Sequence, residues 1–291
     1  MQIKASYGAL LALVSTACAM PTSFLQARSL QVEEKMDATW RIHESCNGTQ
    51  RAQIQRGVDD MHKLASSSIA HLVNHPRDAF FTTYFGEEGD PASVIGYFEQ
   101  LISGDKGGAL LRCDNPDGNC QFADWNGHWR GNNATAETVI CDLSYQTRRP
   151  LEQVCGFGFQ LARDNPSTYF GADLLHRAFH VPQFVNEKIH HYADTYADCL
   201  ELAKTNSSAA VTNQHSLQYF ALDVYSRNMV KNGCVGKVED THDHNHATTS
   251  AAAPAQTQAH TSSSAAPSAT AAPASSDCHT HADGSVHCGT H

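Results

Sequence analysis

The segment Asp173–Pro182 carries two histidines on what the sequence predicts to be the last turns of a helix. Pro182 ends that helix, because the residue before a proline is disfavoured from helical geometry. His176 and His180 are four residues apart, so both imidazoles leave one helix face about a turn from each other. Two imidazoles in this arrangement can bind one metal ion. The spacing therefore predicts a fold that holds a metal on a helix.

The residue after His176 narrows the chemistry of such a site. Zinc peptidases with this spacing carry His-Glu-x-x-His, in which the glutamate is the general base for the zinc-bound water. Here the second position is Arg177, whose guanidinium stays charged and cannot accept that proton. Asp173 lies four residues earlier, in the order that favours a helical ion pair, with a plain surface arginine as the equal alternative. The sequence thus predicts metal binding without ordinary peptidase activity.

A third metal ligand is expected beyond the proline turn. His190 and His191 lie ten and eleven residues after His180, and Asp194 follows one turn later. Either His191 or Asp194 could complete a three-ligand zinc site whose fourth position is open to water or a partner. An active peptidase remains the alternative, with His190, Asp194 or Glu187 as a substitute base.

The N-terminus predicts an exported protein. Residues 1–19 combine an early lysine, an apolar run and a small-x-small cleavage site, which is typical of a signal peptide and too short to span a membrane. Residues 20–37 are a polar lead-in, and no later run is apolar enough for a membrane span. Asn47, Asn133 and Asn206 fit the N-glycosylation pattern, which applies to exported chains. The net charge of −10 argues against a nucleic-acid partner.

Cysteine content agrees with an oxidising compartment. Removal of Cys18 with the signal peptide leaves an odd number of cysteines, which are expected to pair as disulfides except for one thiol. The turn between Cys113 and Cys120 could be closed by a local disulfide, whereas the other partners cannot be deduced from the sequence. The remaining cysteines are Cys46, Cys141, Cys155, Cys199, Cys234, Cys278 and Cys288.

Residues 38–238 have the composition of one globular domain with a sizeable core. Amphipathic patterns and capping residues predict an α+β fold that is rich in helix and contains a small antiparallel sheet. The predicted elements are a helix after Asn47 with apolar positions from Ile54 to Leu72, strands at Gly108–Cys113 and Thr138–Cys141, and helices at Pro91–Ile102, Val185–Lys204 and Asn213–Met229.

Residues 239–291 form a predicted disordered tail, because Ala, Ser, Thr, Pro and His offer too little apolar surface to offset ordering entropy. The tail concentrates metal-binding side chains, and a flexible tail beside a folded site raises the local ligand concentration. In an oxidising compartment its two cysteines are expected to form a disulfide instead, which leaves the histidines as ligands. The candidate tail ligands are His242, His244, His246, Cys278, His279, His281, His287, Cys288 and His291.

Several motifs together resemble one protein family. They are Cys113-Asp-Asn-Pro-Asp-Gly-Asn-Cys120, Gly127-His-Trp-Arg-Gly131, Thr138-Val-Ile-Cys-Asp142, His176-Arg-x-x-His180-Val-Pro182, Ala193-Asp194, Leu217-Gln-Tyr-Phe-Ala-Leu222, Cys278-His-Thr-His281 and His287-Cys288. This combination resembles the fungal pH-regulated antigens, or zincophores, which include a major mould allergen. Those proteins are a non-peptidase branch related to the deuterolysin (aspzincin) zinc peptidases, which have aspartate where this chain has His191.

The resemblance implies a zincin-like, deuterolysin-like domain that binds Zn²⁺ and is secreted to the cell surface and cell wall. It implies capture of extracellular zinc and return of the metal to a cell-surface zinc transporter, together with binding of host proteins such as complement regulators. Cys199 departs from the family pattern and is the candidate for the unpaired thiol. The oligomeric state stays open, a homo-oligomer included. A third reading is an adhesin or immune-evasion module in which zinc is structural.

Overall fold

The structure is a computed structural model, and it describes residues 38–238 with the two short segments Cys278–Thr280 and Val286–Cys288. For these two short segments it describes the backbone strands alone. The predictions for the signal peptide (1–19), the lead-in (20–37) and the side chains of the tail ligands therefore lie outside the described residues.

Helices dominate residues 38–238. They are α1 (Gly48–Asn74), α2 (Ala79–Phe85), α3 (Pro91–Ile102), α4 (Asp142–Thr147), α5 (Phe170–Phe179), α6 (Pro182–Val185), α7 (Tyr196–Thr205), α8 (Ser207–Val211) and α9 (Gln214–Met229). Short 3-10 turns lie at Asn119–Gln121, Gly131–Asn133, Leu151–Gln153, Gly156–Gly158 and Pro166–Thr168.

Two predicted helix starts are confirmed by their caps. Asn47 accepts hydrogen bonds from the backbone N–H groups of Thr49 and Gln50, and the Gln50 side chain accepts one from the Asn47 N–H. This reciprocal capping box satisfies N–H groups that have no partner within the helix. Asp90 caps α3 in front of a proline at the first helical turn, and α3 spans the predicted residues.

The small sheet is mixed, which corrects the prediction of an antiparallel sheet. Its strands are β1 (Arg41–Ile42), β2 (Leu110–Arg112), β3 (Gly127–Trp129) and β4 (Glu137–Ile140), in the spatial order β1-β2-β4-β3. The β1–β2 and β2–β4 pairs are parallel, and β3–β4 is antiparallel. Three helices separate β1 from β2 in the chain, and such a long crossover allows the parallel pairing that a tight hairpin cannot make.

The predicted helix Val185–Lys204 was wrong in its first half. Asn186 and Glu187 have positive φ angles of 51° and 55°, which end α6 and start an irregular loop. The next helix, α7, begins only after Thr195, whose hydroxyl accepts a hydrogen bond from the backbone N–H of Asp198. The prediction rested on apolar residues at helical spacing. These residues do not form one buried helix face, because the loop buries Ile189 but leaves Tyr192 exposed.

The histidine helix α5 is fixed by close packing on α1. A Cβ atom at Gly171 would approach the Cβ of Asp60 to 2.6 Å, and one at Gly57 would approach Cδ1 of Leu174 to 2.8 Å. Glycine at both positions therefore lets the two helices approach closely enough to bury every residue of α5. Helix α1 also packs against α3 and α9, so one core carries the elements around the histidines.

Three disulfides cross-link the described domain. Cys46 pairs with Cys113, Cys120 with Cys141, and Cys155 with Cys234. The proposed local bridge between Cys113 and Cys120 is therefore wrong, because each cysteine ties the turn between them to a different part of the fold. Cys199 is a free, buried thiol.

Two strands lie within the segment predicted to be disordered. β5 (Cys278–Thr280) and β6 (Val286–Cys288) pair antiparallel, with Cys278 opposite Cys288 and His279 opposite His287. The prediction of disorder does not hold for these six residues. Among the helices described here, none combines the length and apolar character needed to cross a membrane.

Candidate metal centre

His176 and His180 lie together at the C-terminal end of α5. The helix ends at Phe179, and His180 keeps a helical backbone as its C-cap. The two Nε2 atoms are therefore only 3.0 Å apart. His176 is 6% exposed, so its ring is largely removed from water. The predicted pairing of two imidazoles on one helix face is present.

His191 reaches the same point from the loop after α6. Its Nε2 lies 3.2 Å from Nε2 of His180. The loop is tied to the start of α9 by backbone hydrogen bonds that His190 makes with Thr212 and Gln214. Asn213 adds to this, because its side-chain oxygen accepts from the N–H groups of Tyr192 and Ala193, and its amide donates to the Ala193 carbonyl.

Asp194 contacts the outer side of His191. Its Oδ1 lies 3.2 Å from Nδ1 of His191, the nitrogen that does not face His180. Burial acts to raise the pKa of Asp194, but contacts with His191 and His215 outweigh it and hold that pKa well below its usual range. Asp194 is thus an ionised carboxylate that orients an imidazole, the arrangement commonly found behind metal-binding histidines.

His215 is a further histidine of this cluster, and sequence reasoning missed it. It lies in the first turn of α9 and is 2% exposed. Its Nδ1 is 3.2 Å from Oδ1 of Asp194, within ion-pair distance. Its ring centre lies 5.0 Å from that of His176 and 5.2 Å from that of His191. The signal in the sequence that could have indicated it was a titratable residue at the start of a helix whose apolar residues form the core.

The three Nε2 atoms of the cluster have a spacing that suits zinc. Nitrogens bound to zinc at about 2.0–2.1 Å and tetrahedral angles lie about 3.3 Å from one another. The observed separations of 3.0 and 3.2 Å are close to this value. Neutral imidazole is also a preferred zinc ligand. The residues present therefore fit a zinc ion, and His191, Asp194 and His215 form a second overlapping group of donors within 4.8 Å of one another.

Arg177 and the candidate substitute bases Glu187 and His190 are placed less favourably for a role as general base. Arg177 is buried and bonded to Asp173, which settles the choice between an ion pair and a plain surface arginine. Glu187 and His190 are exposed on the loop. Arg177 is thus engaged in an ion pair with Asp173 and does not act as a general base.

A further group of metal-type residues lies near β3 and β4. Donor atoms of Cys120, His128 and Cys141 are within 4.8 Å of one another. The two sulfurs are joined in a disulfide, so neither is the thiolate that would bind zinc. The glycosylation candidates Asn47, Asn133 and Asn206 are all exposed, as the attachment of a glycan requires.

Comparison with known proteins agrees with these motifs. Residues 3–237 match the family described as "HRXXH: Putative peptidase family", whose name repeats the pattern from His176 to His180. The chain is 41% identical over 213 residues to the "Major allergen Asp f 2" of Aspergillus fumigatus, across 72% of this chain and 68% of that protein. It is 40% identical over 198 residues to the "pH-regulated antigen PRA1" of Candida albicans, across 67% of this chain and 66% of that protein.

Among solved structures, a zinc peptidase from Grifola frondosa aligns with a TM-score of 0.45 and 16% identity, over 61% of this chain and 97% of that chain. The predicted relation to fungal pH-regulated antigens and a mould allergen is confirmed by the two relatives. The chain therefore belongs to the HRXXH family, described as a putative peptidase family, and carries that pattern from His176 to His180 on α5.

Proposed function

We propose that this protein is a secreted zinc-binding protein that captures extracellular zinc, with His176, His180 and His191 as ligands of a tight site in the domain. The observation that carries the proposal is the convergence of three imidazole nitrogens at 3.0 and 3.2 Å in a partly buried cluster. Such a preorganised set of neutral donors favours zinc over the harder ions magnesium and calcium, which prefer oxygen ligands.

Asp194 acts in this proposal as the residue that orients His191. A carboxylate that accepts the Nδ1 proton leaves the Nε2 lone pair for the metal and makes the ring a better donor. The contact between Asp194 and Nδ1 of His191 supports this role over direct coordination by Asp194.

The proposed function does not include peptide hydrolysis. The position of the general base is occupied by Arg177, which is engaged with Asp173. General-base assistance is worth about 10²–10⁴-fold in rate, so hydrolysis by bound zinc alone is expected to be very slow. The family description favours a second candidate, a secreted zinc endopeptidase, which the assay below separates from the first.

The setting of the proposed function is outside the cell. Two relatives are named an allergen and an antigen, which are terms for proteins that a host immune system meets. Together with the predicted signal peptide and the disulfides, they support secretion and a location at the cell surface or wall. The tail histidines would add capture capacity, and a cell-surface zinc transporter and host proteins such as complement regulators are the proposed partners.

Elemental analysis of zinc on purified full-length protein tests the proposal. We expect the native chain to retain zinc that a variant lacking His176 and His180 does not. Incubation with casein, with and without added zinc, is expected to give no cleavage above a protein-free control. Efficient cleavage that depends on His176 would favour the endopeptidase, and unchanged zinc content in the variant would contradict the proposed site.

A further inference from the structure

The carboxylate of Asp194 is shared by two imidazoles. Its Oδ1 lies 3.2 Å from Nδ1 of His191 and 3.2 Å from Nδ1 of His215. An ionised carboxylate only accepts hydrogen bonds, so a ring that turns Nδ1 toward it favours the tautomer with the proton on Nδ1. Each ring then carries its lone pair on Nε2, at the far end from Asp194. His215 therefore turns the same nitrogen toward Asp194 as His191 does, and this leaves its Nε2 for a metal ion.

We propose that His215 is a fourth protein ligand of the domain zinc, so that the site has four imidazole ligands and no position open to water. The inference rests on the proposed function, because it takes zinc binding at His176, His180 and His191 as its starting point. It changes the nature of that site, from one of three ligands with an exchangeable water to a closed tetrahedral site.

The ring positions support four-fold coordination. A ring centre lies roughly 1.1 Å beyond its bound nitrogen, so imidazoles around one tetrahedral zinc have centres about 5 Å apart. His215 lies 5.0 Å from His176 and 5.2 Å from His191 by this measure. The separations among the other three rings are 4.7 Å for His176–His180, 4.7 Å for His180–His191 and 5.8 Å for His176–His191. In its separations from His176 and His191, His215 thus satisfies the spacing criterion as well as the three histidines found from the sequence do.

The position of His215 on α9 makes the site rigid. It projects from the first turn of α9, and α9 packs against both α5 and α1. The same turn holds the His191 loop through Asn213 and through the backbone of Gln214. Protein contacts therefore fix the ligands from α5, the loop and α9 to one another. Closed sites with four protein ligands retain zinc, whereas catalytic sites keep one position open. A closed sphere would oppose peptide hydrolysis even if a base were present.

X-ray absorption at the zinc edge tests the coordination number directly. The sample is a full-length chain whose eight histidines after residue 241 are replaced by alanine, loaded with one zinc per chain. We expect four imidazole nitrogens around zinc. His215→Ala should give three imidazoles and one oxygen, with zinc affinity reduced at least tenfold, and added imidazole should restore both values.

A second variant separates a ligand from a residue that only supports Asp194. In His215→Asn the side-chain amide can still donate to Asp194 but offers no imidazole nitrogen to zinc. A ligand role predicts that both variants lose one imidazole, whereas a supporting role predicts that His215→Asn behaves like the native chain. His190→Ala is the matched control, because it changes the exposed neighbour of His191 and should leave coordination and affinity unchanged.

Circular dichroism of each variant establishes that it is folded before the spectra are compared. Three imidazoles and one oxygen in the native chain, or native coordination in His215→Asn, would overturn the fourth-ligand proposal while leaving zinc binding intact. Failure of the proposed function gives a different result, in which replacing His176 does not change the zinc spectrum.

Discussion

Arg177 donates a hydrogen bond from Nε to Oδ2 of Asp173 over 2.8 Å, with the two side chains only 10% and 2% exposed. Its Nη2 reaches the other carboxylate oxygen at 3.2 Å, and Arg148 reaches that same oxygen at 3.1 Å. A carboxylate removed from water is tolerated only while it remains paired, so Asp173 depends on both guanidinium groups. The residue that replaces a catalytic glutamate is therefore a structural part of α5.

This pairing predicts the outcome of restoring the peptidase sequence with Arg177→Glu. We expect no gain of casein cleavage, because the new carboxylate would lie beside Asp173 and would lose the cation that balances it. Removing one partner of a buried ion pair costs about 3–5 kcal/mol. Urea unfolding should show a loss of this size for Arg177→Glu, whereas Arg163→Ala, which removes an exposed ion pair with Asp164, should cost less than about 1 kcal/mol. Zinc-dependent cleavage by the stable variant would contradict this explanation.

The zinc site predicts a selective loss in the double variant His176→Ala and His180→Ala. Two of the converging nitrogens disappear, so tight zinc binding by the domain should be abolished. Zinc uptake by the tail histidines should continue, because they lie on a separate segment of the chain. Calorimetric titration of full-length protein should therefore lose its tightest phase and keep the weaker ones. His190→Ala should retain every phase.

The hydrogen bonds of Asn213 predict that zinc affinity can be weakened without removing a ligand. Its fully buried side chain makes three hydrogen bonds with the backbone of Tyr192 and Ala193, between His191 and Asp194. In Asn213→Ala these backbone groups lose their partners, at about 1–3 kcal/mol for each buried group left unsatisfied. We expect a lower unfolding free energy and zinc affinity reduced about 10–100-fold, as is typical of lost outer-shell support. Asp90→Ala, which removes the N-cap of α3, a helix that carries no ligand, should lower stability alone.

Local patterns of the sequence predicted local features well. Spacing alone placed His176 and His180 on one helix face, because residues four apart on a helix are neighbours wherever the helix lies. Capping residues similarly located the starts of α1 and α3, since a cap depends on a few adjacent residues. The ion pair of Asp173 with Arg177 was one of two readings, and only burial of the helix distinguishes them.

Features that depend on contacts between distant parts of the chain could not be predicted from these local patterns. His215 belongs to the cluster because α9 packs against α5, and no spacing in the sequence relates it to His176. Disulfide partners could not be predicted for the same reason, as the pairing of Cys46 with Cys113 illustrates. The loop after α6 was mistaken for helix because it buries Ile189 by tertiary contact rather than by helical periodicity.

The ion pair of Asp117 with Arg130 predicts that the fold loses stability in acid. Its carboxylate accepts two hydrogen bonds from Arg130, at 2.8 and 2.9 Å, and this interaction is the largest cause that lowers the pKa of Asp117 to about 2 from an ordinary value of 3.8. A carboxyl group with a lowered folded-state pKa stabilises the fold above its unfolded-state pKa, and loses that contribution as the pH falls through the folded-state value. The contribution of Asp117 should therefore be about 2 kcal/mol near pH 5, and most of it should be lost between pH 4 and pH 2.

The variant Asp117→Asn isolates this contribution, because it removes the charge and keeps the shape of the side chain. Urea unfolding followed by circular dichroism should show the native chain more stable than the variant at pH 5, with the difference shrinking toward zero at pH 2. Asp124→Asn is the matched control, since Asp124 is an exposed aspartate seven residues further along the chain. It should follow the native chain at every pH. A difference between native protein and Asp117→Asn that stays constant from pH 5 to pH 2 would mean that the Arg130 contact does not contribute through the charge of Asp117.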